Sequence, residues 1–191
     1  FMLLPFSSAF TVHNLGIDID RLPVIYMVTG IFAMAFGPLI GRASDAIGKF
    51  NVFAMGCAAT IIMVLIYTNL KVTPIQIVIL VNVLLFMGVS SRMISSAALI
   101  SAVPSAADRG SYMSISSSLQ QISGGIAAAL AGLIVKETPS GALEHFDIVG
   151  YVLVATTLLT LVMMYYINRR VESPAGLAVA AAGSGGSGGA R

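Results

Sequence analysis

The sequence predicts an all-α, polytopic transmembrane helix bundle, and three observations carry that prediction. Hydrophobic residues make up 57% of the 191 residues and charged residues only 9%, against roughly 25% charged in a soluble domain. So few charges cannot cover a water-facing surface. The apolar residues fall in runs of about 20, the length at which a helix crosses a bilayer. Short stretches with most of the charges and turn residues separate these runs. The same composition excludes other classes. Disorder needs low hydrophobicity, and a disulfide framework needs more than the single Cys57. A formal charge of +2 without a basic cluster leaves no footprint for nucleic acid.

In chain order, Phe1 to about Gly16 is apolar but too short to span. It has no charged n-region and no small-residue cleavage site, so it is not a signal peptide and reads as a segment cut inside a longer chain. Ile17 to Leu22 is a polar turn, and Pro23 opens a second segment running to Gly41, since proline tolerates the first helical turn. Arg42 to Lys49 reads as a charged loop. A third segment follows from Phe50 to about Asn69, then a tight loop ending at Pro74. The fourth, from Ile75 to about Val103, contains Arg92 and is stopped by Pro104. The fifth runs from Ser111 to Val135 and the sixth from Ile148 to Ile167, separated by the longest loop, Lys136 to Asp147. Residues 1–170 therefore form one six-helix unit with a truncated first helix. Residues 171–191, rich in Ala, Gly and Ser, are expected to be a flexible tail.

Short loops make sequence neighbours antiparallel. One side then collects Arg42, Lys49, Arg109, Arg169 and Arg170, and the other Arg21, Lys71 and Lys136. The richer side is expected to be cytoplasmic, which puts the C-terminus there.

The stretch Gly37-Pro-Leu-Ile-Gly41-Arg42-Ala-Ser-Asp45-Ala-Ile-Gly48-Lys49 is the first motif. Gly37 and Gly41 share a helix face and are expected to permit close helix contact. Gly48 suits a tight turn. Asp45 can cap a helix or pair with Arg42 or Lys49. A charged loop with turn glycines is the plain alternative. These residues resemble the cytoplasmic-loop signature of the major facilitator superfamily: Gly41, Asp45, Gly48 and Lys49 match, whereas Ala46 and Phe50 stand where basic residues are usual. Such weakened copies are typical of the second half. Ser91-Arg92-Met93-Ile94, Val103-Pro104, Asp108-Arg109-Gly110, Met113-Ser114, Ser117 to Gln121 and Gly124-Gly125 resemble the fourth and fifth helices of the C-terminal half of bacterial drug–proton antiporters and sugar-efflux permeases. The resemblance implies a C-terminal half-fold in the bacterial inner membrane, a missing N-terminal six-helix half as partner, and efflux of a small molecule by alternating access.

Arg92 is the charge inside a membrane segment, where it costs at least about 2.5 kcal/mol and should face protein or a wet cavity. It is a candidate contact for an anionic or polar substrate, or a latch. A structural pair with a carboxylate or carbonyls is the competing reading. On the fifth segment, Ser114, Ser118, Gln121, Gly125, Ala128 and Gly132 form a small or polar stripe opposite Ile115, Leu119, Ile122, Ile126 and Leu133. The polar stripe should meet protein or water and the apolar one lipid. Gln121 is thus a pathway candidate, or else an interhelical hydrogen-bonding group. Asn82 and Tyr26 are further pathway candidates; His13 and Asn14 read as interfacial groups. No carboxylate lies within a predicted segment, so proton coupling would need a titrating group outside this chain, or His13. No zinc spacing, Ser–His–Asp set or phosphate-cradling loop occurs, so no cofactor and no enzyme activity are expected. The alternative function is a degenerate half-transporter that serves as a non-transporting membrane partner or assembly subunit.

Overall fold

The computed structural model of the chain describes residues 2–100 and 108–171. The elements in order are α1 (Leu4–Ala9), a π-helical turn (Phe10–Asn14), a 3-10 turn (Ile19–Arg21), α2 (Leu22–Ile47), α3 (Lys49–Thr68), α4 (Ile75–Ile100), α5 (Arg109–Ile134), a hairpin of β1 (Lys136–Glu137) and β2 (Leu143–Glu144), and α6 (Phe146–Val171). Pro5 and Pro23 sit in the first turns of α1 and α2, where a missing N–H costs little. The described residues are all-α apart from the two-residue strands.

Four stretches among the described residues are long and apolar enough to cross a membrane: Ile19–Ile47, Lys49–Thr68, Ile75–Ile100 and Phe146–Arg169. They correspond to the second, third, fourth and sixth predicted segments. Helix α5 has 26 residues, about 39 Å of helix. It is not among these four spans, and its serines and glutamines lower its hydropathy. The first segment is a six-residue helix with a five-residue π turn.

Several boundaries differ from the sequence reading. The Arg42–Lys49 stretch is not a loop. Helix α2 continues through Ile47, α3 starts at Lys49, and the whole connection is Gly48. Its φ of +94° and ψ of 141° are what make a one-residue reversal feasible, because a Cβ there would be strained. Asn51 Nδ2 donates to Ile47 O at 2.7 Å, satisfying one terminal carbonyl of α2. The longest loop is an antiparallel hairpin pairing Lys136 with Glu144 and Glu137 with Leu143. A turn closes it, with Thr138 N donating to Ala142 O at 2.9 Å and Gly141, at φ +80°, donating to Thr138 O at 2.8 Å. Helix α6 runs beyond Asn168 to Val171. The Val103–Pro104 stop, most of the Ser105–Gly110 loop and the tail from residue 172 lie outside the described residues.

Helix α3 is the axis of the packing, with α4 along one side and α6 along another; α2 lies on α4, and α5 touches α6 only lightly. The close crossing is between α3 and α4. A Cβ on Gly88 would lie 2.8 Å from Thr60 Oγ1 and 3.0 Å from Thr60 N, and one on Gly56 would lie 2.9 Å from Ser91 Cβ. Small residues therefore let two backbones nearly touch. Gly37 and Gly41, expected to do this, have nothing within 4 Å.

One end of the bundle, the hairpin end, is knitted together. Phe10 stacks on Phe146 with ring centroids 4.3 Å apart, and Tyr67 packs against both. The Tyr67 hydroxyl lies 3.1 Å from Thr11 Oγ1. Asn14 pairs with the Leu143 backbone in both directions, accepting from its N–H and donating to its C=O, each at 2.8 Å. The outward faces are apolar, with Met34 at 81% and Leu133 at 80% exposure. That surface suits lipid.

Candidate functional site

Two apolar clusters make the core. The larger fills the hairpin end with Val64, Tyr67, Val78, Val81, Phe146 and Val149 among its members. The smaller fills the Gly48 end with Phe53, Cys57, Leu99 and Met164. Between them along α3, α4 and α6 lies a polar layer: Gly56 and Thr60, then Gly88, Ser91, Arg92 and Ser95, then Thr157. An apolar bundle gains nothing from such a layer by burial alone, so its internal bonding decides how it is read.

Most interior polar groups are satisfied within their own helix. Thr29, Thr60 and Thr68 donate to the carbonyls of Ile25, Gly56 and Val64 at 2.7, 2.7 and 2.9 Å. Ser91 does the same to Met87 at 2.9 Å. This back-bonding occupies the hydroxyl's one donor and leaves only its lone pairs to accept. Three buried atoms escape it among the described residues: Ser44 Oγ, Ser95 Oγ and Arg92 Nε. Two of the three are in the polar layer.

Arg92 lies about 26 Å along α4 from Ile75 and about 12 Å from Ile100 at 1.5 Å per residue. It does not run to an end of the helix. Its Nη1 reaches Thr157 Oγ1 on α6 at 3.4 Å, a long bond from a half-buried side chain. Thr157 is 2% exposed and Ser95 is fully buried. Helices α4 and α6 both lie on α3, so this bond bridges a groove whose floor is α3. Sequence reasoning singled out Arg92 but missed Thr157. A threonine on another helix carries no hydropathy signal, and only the tertiary arrangement joins it to Arg92.

The other candidates lie elsewhere. Gln121 is exposed on α5, and among the described residues no hydrogen bond joins it to Arg92. The apolar stripe Ile115, Leu119, Ile122, Ile126 and Leu133 is exposed, as lipid contact requires. Much of the Ser114–Gly125 stripe is exposed as well, and α5 instead buries Gly124 and Ala131. Asn82 is buried but donates to Val78 O at 3.0 Å, its own helix. The Tyr26 hydroxyl is 3.0 Å from Ser8 Oγ, so it ties α2 to α1. His13 is exposed and packs on Gly141. In the Gly37–Lys49 motif, Arg42 and Asp45 are exposed on the last turns of α2 and Lys49 begins α3. No side chain caps α3, and no ion pair joins Asp45 to Arg42 or Lys49 among the described residues.

Among the described residues, one hollow of about 280 Å³ lies beside Gly16, Asp18, Arg21 and Thr73, and another of about 400 Å³ lies between α5 and α6 beside Ser123, Ile126, Val152 and Thr156. Neither is lined by Arg92. Among the described residues no cluster of His, Cys, Asp or Glu could hold a metal. A family model described as Major Facilitator Superfamily matches residues 1–186. Comparison with curated proteins and with solved structures gives no match.

Proposed function

Because the chain belongs to the major facilitator superfamily, a family of multi-pass membrane transporters rather than enzymes, we propose that it is the C-terminal half of a secondary carrier that exports a small molecule by alternating access. The observation that carries this reading is Arg92. A charge held mid-helix, away from both ends and bonded among the described residues only to Thr157, is what a polar route through an apolar bundle requires. The route runs along the α4–α6 groove, where Arg92 contacts cargo. Gln121 on α5, and Asn82 and Tyr26 toward the hairpin end, are further candidates for this route rather than neighbours of Arg92. An N-terminal six-helix half would close the groove and form the other wall.

The Gly37–Lys49 segment fits a conformational role. Its exposed Asp45 and Arg42 flank the one-residue reversal at Gly48, where small rotations of α2 and α3 meet. The arginine- and lysine-rich side, with the C-terminus, is cytoplasmic in this reading, and the membrane is the bacterial inner membrane. A proton-coupled cycle would draw its titrating carboxylate from the other half.

The test is transport by the complete protein in proteoliposomes, assayed with labelled drugs, sugars and organic acids under an imposed proton gradient. Movement of any one of them supports the carrier, and its direction decides efflux. A complete gene product that folds, inserts and moves none of them supports the non-transporting subunit instead.

A further inference from the structure

We infer that the α4–α6 groove is an oxyanion site, and that the cargo therefore carries a carboxylate or a comparable oxyanion group. This deepens the transport reading and rests on it. Arg92 has no ion-pair partner among the described residues, and its Nε makes no hydrogen bond. Its one side-chain bond among the described residues, to Thr157 Oγ1, is long at 3.4 Å. One turn along α4, Ser95 Oγ is fully buried and equally without a partner. These are donors one turn apart, whereas Thr29, Thr60, Thr68 and Ser91 each donate into their own helix.

The carboxylates nearby in sequence cannot answer the charge. Asp147 is ten residues before Thr157 on α6, about 15 Å along the helix. Asp108 is at the N-cap of α5, past the eight residues of α4 (about 12 Å) that follow Arg92; Asp45 is exposed toward the Gly48 end, and Asp18, Asp20, Glu137 and Glu144 lie at the hairpin end. A guanidinium presents N–H donors in a planar fork that matches two oxygens of one acid group. Ser95 and Thr157 add hydroxyls that accept or donate to the same group. A cationic cargo would meet a like charge in a setting with little solvent to screen it.

The experiment is thermal melting of the purified full-length protein with five additives: benzoate, inorganic phosphate, chloride, benzylamine and benzyl alcohol. A saturable rise with benzoate or phosphate, absent with benzylamine and benzyl alcohol, is expected; benzoate alone points to organic acids, phosphate alone to phosphorylated or inorganic cargo. Arg92→Lys should weaken the apparent affinity about tenfold, since a point charge cannot replace the fork. Ser95→Ala should weaken it less, and both variants are small enough changes to keep the fold when Arg92→Gln does not. The inference is overturned if neither oxyanion shifts the wild type, if chloride alone does, or if the shift is unchanged in Arg92→Lys. Absence of any shift combined with a melting temperature that collapses in Arg92→Gln would assign Arg92 to a carboxylate of the other half. Transport of benzylamine-like cations without oxyanion binding would leave the carrier standing and remove the oxyanion site. Oxyanion binding at Arg92 without any flux would do the reverse.

Discussion

Replacing Gly88 by alanine tests the packing on which the site rests. An alanine in mid-helix gains up to about 1 kcal/mol over glycine from helix propensity alone. At Gly88 that gain meets a fixed obstacle. The new methyl would lie 3.0 Å from Thr60 N and 3.2 Å from Gly56 O, both backbone atoms that cannot rotate away, and 2.8 Å from Thr60 Oγ1. Overpacking of this kind costs about 1–3 kcal/mol. Gly125 is the internal control, because it too lies inside a helix and has nothing within 4 Å of an added Cβ. Gly125→Ala should be neutral or stabilising, and Gly88→Ala should fall below it by about 1–3 kcal/mol, or roughly 2–12 °C in melting temperature for a chain of this size. Thr60→Ala in the Gly88→Ala background should recover part of the loss by removing the hydroxyl, though not the backbone clash. The measurement is thermal unfolding of the complete protein in one detergent. Equal melting temperatures for Gly88→Ala and Gly125→Ala would refute the close α3–α4 crossing.

Other predictions concern the turn, the motif and the knitted end. Gly48→Ala forces a Cβ into φ +94°, so a loss of about 1–3 kcal/mol in stability is expected from the same melting assay. Asp45→Asn should lower the transport rate in proteoliposomes while leaving cargo affinity within about twofold, because a group outside the groove biases conformations rather than binding; unchanged flux would remove its conformational role. Asn14→Ala deletes both bonds to Leu143 and should cost about 1–3 kcal/mol. Hydrogen exchange should then accelerate at residues 136–144, and unchanged protection there would mean that the hairpin holds without the first segment.

The spans were legible because burial in lipid leaves a coarse mark. Apolar runs bounded by Pro23, Gly48 and Pro74 located α2, α3 and α4, and Gly48 was legible as a turn because only glycine suits that backbone. The end of α2 was not. Arg42 and Asp45 read as loop by charge, yet charged residues are tolerated in a helix that has left the apolar layer. The close crossing was misassigned for a related reason. Spacing shows which residues share a face, as with Gly37 and Gly41, but not whether a second helix meets it. Gly56 and Gly88 lie on different helices, 32 positions apart, and single-sequence spacing cannot couple them. The hairpin had a usable signal in Pro139-Ser140-Gly141, which marks a turn, but its strands are too short for a period of two to register.

The polar layer and the close crossing explain each other. Lipid in contact with the Arg92 guanidinium would leave it without partners, at a cost of at least about 2.5 kcal/mol. The backbone approach at Gly56 and Gly88 closes the α3 side of that layer, so lipid cannot enter from there. The same approach brings Ser91 and the start of the Arg92 turn against α3, which leaves the guanidinium no direction but the α6 side, where Thr157 meets it. A looser crossing with alanine at both glycines would widen the floor and give the side chain other rotamers. The bond to Thr157 should then be lost before the fold is, and oxyanion affinity should fall by more than the drop in melting temperature accounts for. A crossing that only stabilises would show the two quantities falling together.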